Sequence, residues 1–135
     1  MLALFALQSG TLFDFQTTWA AVTGRMLAAL AEGDAGLEAR LADAAGYDLG
    51  ARKLLPGSVI VAGTVVESAD VLISAMPRGA DRGRVIDIML RLAETAPQVE
   101  AVPLVPFFDG LRARGLALGV ATNDGEAPAR VHLDR

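Results

Sequence analysis

An α/β fold built on a parallel sheet is the class this sequence predicts, and three observations predict it. Residues 2–7 (Leu-Ala-Leu-Phe-Ala-Leu) form an unbroken apolar run closed by Gln8, Ser9 and Gly10. Residues 116–121 form a second such run, closed by Thr122, Asn123, Asp124 and Gly125. A strand buried on both faces reads this way, whereas a half-exposed strand alternates apolar with polar residues. Between the two runs the apolar residues recur every three or four positions, which is helical spacing. Two buried strands joined through helices pair in parallel as a rule.

The intervening elements follow in order. Trp19, Val22, Met26 and Leu30 fall on one face of a helix that begins near Phe15 and ends at Gly33-Asp34. Leu37, Leu41 and Ala45 make a shorter helix stopped by Gly46. From Asp48 to Gly63 the pattern is irregular, with a turn at Pro56-Gly57 and then apolar Val59, Ile60, Val61 and Ala62. Thr64 and Glu67 have the spacing of a capping box, which opens a helix carrying Val65, Leu72 and Ile73 and broken by Pro77-Arg78-Gly79. Val85, Ile86, Met89, Leu90 and Ala93 define the next helical face, which ends before Pro97. Pro106 suits a first helical turn, and Phe107, Phe108 and Leu111 share a face up to Arg114-Gly115. The block from Gly33 to Ala96 is longer than one crossover requires. It reads as a helical insertion over the strand ends, where open α/β sheets hold their ligands.

Composition narrows the function classes. The chain has 135 residues, enough for one compact domain or a domain with a small cap, and its hydrophobic content is that of a globular protein. A formal charge of −4 with scattered basic residues gives no footprint for nucleic acid. There is no cysteine, which excludes disulfides and thiol chemistry, and a single histidine, His132, which excludes a multi-histidine metal site. The apolar start lacks a basic leader region, and no apolar run approaches the roughly 18 residues of a membrane span, so a cytoplasmic protein without a membrane partner is expected.

Two stretches carry a family resemblance. Gly10-Thr11-Leu12-Phe13-Asp14, after the first apolar run, resembles the second half of motif I of the haloacid-dehalogenase-like hydrolases, in which Asp-x-Asp-Gly-Thr follows a strand. Leu118-Gly119-Val120-Ala121-Thr122-Asn123 resembles motif II, an apolar strand ending in a phosphate-binding Thr or Ser. Phe13-Asp14-Phe15 with Trp19 is similar to the phosphoglycolate-phosphatase-like group of that family. The resemblance implies a partial Rossmann-like core (1–32 and 97–135) with an inserted α-helical cap (33–96). It also implies magnesium-dependent hydrolysis of a small phosphorylated metabolite, with Gly10, Thr11, Thr122 and Asn123 against the phosphate.

The same comparison predicts that this chain is silent as a phosphatase. Aligned on Gly10-Thr11, the nucleophile position falls on Leu7 and the acid/base position on Ser9. In the family the first aspartate attacks phosphorus and helps hold Mg²⁺, and the second moves the leaving-group proton. Leucine has no nucleophilic atom or metal-ligating atom, and a serine hydroxyl is far too weak an acid near neutral pH. The family's later motifs supply a lysine and acidic residues after motif II, but Lys53, the single lysine, precedes it. No catalytic residue is therefore intact, and Mg²⁺ binding is not expected. An altered stretch around Ala6–Ser9 or a truncation of an active phosphatase gives the same pattern. A non-enzymatic binding or assembly module is the alternative, since a half-sheet leaves an unpaired edge and uncovered apolar surface that favour a homodimer. Asp14 is expected to be a solvated loop carboxylate, and Arg52-Lys53 a surface pair.

Overall fold

The computed structural model describes residues 3–7, 14–97, 99–100, 102–121, 126–127 and 130. The elements run β1 (Ala3–Leu7), α1 (Phe15–Ala31), α2 (Ala35–Ala45), β2 (Tyr47–Asp48), β3 (Lys53–Leu54), α3 (Val59–Ala62), α4 (Val65–Ala75), α5 (Arg82–Glu94), α6 (Leu104–Ala113) and β4 (Ala117–Ala121).

Each long helix starts and stops where its sequence supplies the chemistry. Asp14, Asp34 and Asp81 each accept a backbone N–H from the first turn of α1, α2 and α5. Thr64 and Glu67 form the reciprocal capping box of α4, with the Thr64 N–H donating to Glu67 Oε2 at 2.7 Å and the Glu67 N–H to Thr64 Oγ1 at 3.2 Å. Gly46 ends α2 in the left-handed region, at φ 69°. A Cβ there would stand 2.9 Å from Ser58 Cα, so this turn tolerates no side chain. Ser58 in turn donates to the Ala45 carbonyl at 2.6 Å and accepts from the Ile60 N–H, joining the end of α2 to the start of α3.

The core lies between helices. α1 packs on α2 and α5, α2 on α4, and α4 on α5. Leu27, Leu41 and Leu72 are fully buried among Met26, Leu30, Leu37, Val85 and Met89. Of the face expected on α1, Val22, Met26 and Leu30 are buried and Trp19 half-buried. The strands are minor. β2 and β3 form an antiparallel hairpin of two residues a side, and β1 pairs with β4 in parallel, Ala3 opposite Ala117 through Leu7 opposite Ala121.

This overturns the expected fold class, an α/β architecture on a partial Rossmann-like parallel sheet with an inserted helical cap. The described residues are mainly helical, in six helices, and each of their two sheets has only two strands. The physical reason is where the apolar area goes. In a Rossmann-like fold the helices bury their faces on a central sheet. Here the helical stripes of α1, α2, α4 and α5 bury one another, and no residue of α6 is buried. Among the described residues no helix is long and apolar enough to cross a membrane.

Candidate functional site

The parallel register brings two strand ends together. Leu7 closes β1 and Ala121 closes β4, and these two residues are register partners. The segments that carry the family resemblance follow directly in sequence. Leu7, where the sequence comparison expected the nucleophile position, is thus a strand residue, and leucine carries only hydrocarbon. Ser9, Gly10, Thr11, Thr122 and Asn123 lie outside the described residues.

The next described residue in sequence after Leu7 is Asp14, which begins the first turn of α1. Asp14 is exposed, and its Oδ1 accepts the Thr17 N–H at 2.6 Å. The Thr17 hydroxyl first, and then its backbone N–H, hold the Asp14 carboxyl below the usual carboxylate range by hydrogen bonding. The sequence reading of Asp14 as a solvated carboxylate missed this capping role, although Asp followed by an apolar-periodic run is a recognised helix-start signal. The Asp14 N–H also donates to the Val99 carbonyl at 2.8 Å, which ties the start of α1 to the segment that leads into α6.

Gln16 was not legible as important. Its Nε2 donates to the Leu54 carbonyl at 3.0 Å, and its Oε1 accepts the Leu54 N–H at 3.2 Å. One side-chain amide thereby pairs with both backbone groups of a residue 38 positions away, as a neighbouring strand would. A glutamine two residues into a helix gives no sequence signal for such a partner. The hairpin so held carries Arg52 and Lys53, both exposed, with Arg52 in the left-handed region at φ 53°. The structure agrees with the expected surface placement of that pair.

Among the described residues nothing gathers the oxygen donors that magnesium takes. Leu7 offers no oxygen, and the Asp14 carboxylate is engaged in capping α1. Among the described residues no three Asp, Glu or His side chains converge. Hard cations such as Mg²⁺ are held by oxygen donors, chiefly carboxylates, and at Leu7, where the family resemblance would call for one, the side chain is a hydrocarbon.

No family model matches this chain, and neither does any curated protein or any solved structure.

Proposed function

We propose that this chain is a catalytically silent relative of the haloacid-dehalogenase-like phosphatases, one that binds a small phosphate monoester without hydrolysing it. The observation that carries the reading is the parallel pairing of Leu7 with Ala121. It ends the two strands side by side, immediately before the Gly10-Thr11 and Thr122-Asn123 stretches that resemble the family's phosphate-binding segments. Backbone N–H groups and hydroxyls that follow strand ends suit an anion, because they present partial positive charge and donors without needing a metal. The same register makes Leu7 the residue at the end of β1, where covalent chemistry needs a carboxylate.

Binding is tested apart from turnover. Titrating isotope-labelled chain with inorganic phosphate and then phosphoglycolate, without Mg²⁺, is expected to move the amide signals of Gly10, Thr11, Thr122 and Asn123 in a saturable way. Thr122→Val is expected to weaken the response about tenfold, the equivalent of losing one hydrogen bond to a charged group. No saturable shift at either pair of residues would remove phosphate binding from the proposal.

A further inference from the structure

We draw no further inference here: the strongest candidate, the exposed apolar stretch of Val99, Val102, Val105 and Phe107 leading into and along α6, carries nothing because Val105 and Phe107 leave the helix on opposite flanks and nothing in the structure shows what covers either.

Discussion

The helical body between residues 15 and 96 and the strand pair with α6 divide the chain's apolar residues very unequally. In the body, Leu27, Leu41 and Leu72 have no exposed surface. In α6, Val105 is 70 % exposed and no residue is buried. Both regions are rich in apolar residues, so composition does not separate them. What separates them is partnership. α1, α2, α4 and α5 each present a stripe to another helix, and their caps fix the ends of those stripes. β1 and β4 have each other, and a two-stranded pair is marginal by itself in water. The burial that stabilises the described fold therefore resides in the helices, while the segments that carry the proposed function follow the ends of β1 and β4 in sequence.

The largest effect that tests this division comes from paired truncations. Leu41→Ala is expected to lower the unfolding free energy by about 2–5 kcal/mol, since it leaves a cavity in a site with no solvent access. Val105→Ala is expected to cost under about 0.5 kcal/mol, because the side chain is mostly in water already. Urea denaturation of both variants measures the difference. Equal losses would mean that α6 shares the core.

A middle-sized effect probes how tightly the body is packed. Gly24 sits inside α1, where alanine is intrinsically favoured by about 1 kcal/mol. A Cβ at that position would stand 2.8 Å from the Tyr47 hydroxyl oxygen. Gly24→Ala is therefore expected to destabilise by about 1–3 kcal/mol, as overpacking does. Tyr47→Phe removes the oxygen and leaves the ring carbon at 3.6 Å, an ordinary contact, so the double variant should regain most of the loss. A Gly24→Ala variant more stable than the parent would show that hairpin and helix are loosely joined.

These two tests also mark how far the sequence was legible. The helical stripes of Val22, Met26 and Leu30, and of Val85, Met89 and Ala93, were readable because burial on a helix repeats every three or four residues. The capping box at Thr64 and Glu67 was readable because it is local. The hairpin was not, since strands of two residues cannot display alternation, and Tyr47 and Leu54 are buried against α1 and its Gln16. The fold class failed for a related reason. Two apolar runs predict strands, and residues 3–7 and 117–121 are strands, but they say nothing of how many further strands join them. Of the candidate site, only the Leu7 end of β1 is among the described residues, and its lack of a carboxylate was plain from the sequence.

The smallest effect is in pH. Asp14, Glu32, Glu67 and Asp70 all have their carboxyl pKa lowered, by hydrogen bonds from Thr17, Arg84, Thr64 and Arg82 respectively. The folded chain therefore binds these protons more weakly than the unfolded chain. The stability they add is complete above the ordinary carboxylate range and is lost as pH falls through it. Three of the four sit on the helical body and Asp14 caps its first helix, so thermal melts should shift downward between about pH 5 and pH 3, modestly because the groups are exposed. A melting temperature that rises over that interval would contradict the assignment.

The most direct measurement is Mg²⁺-dependent release of phosphate from phosphoglycolate and from an aryl phosphate, using the purified chain beside a Leu7→Asp, Ser9→Asp double variant. The parent is expected to release none above a chain-free control, because the end of β1 holds a leucine where the reaction needs a nucleophile. Sustained turnover by the parent, dependent on Mg²⁺ and lost on unfolding it, would contradict the account and require a different nucleophile.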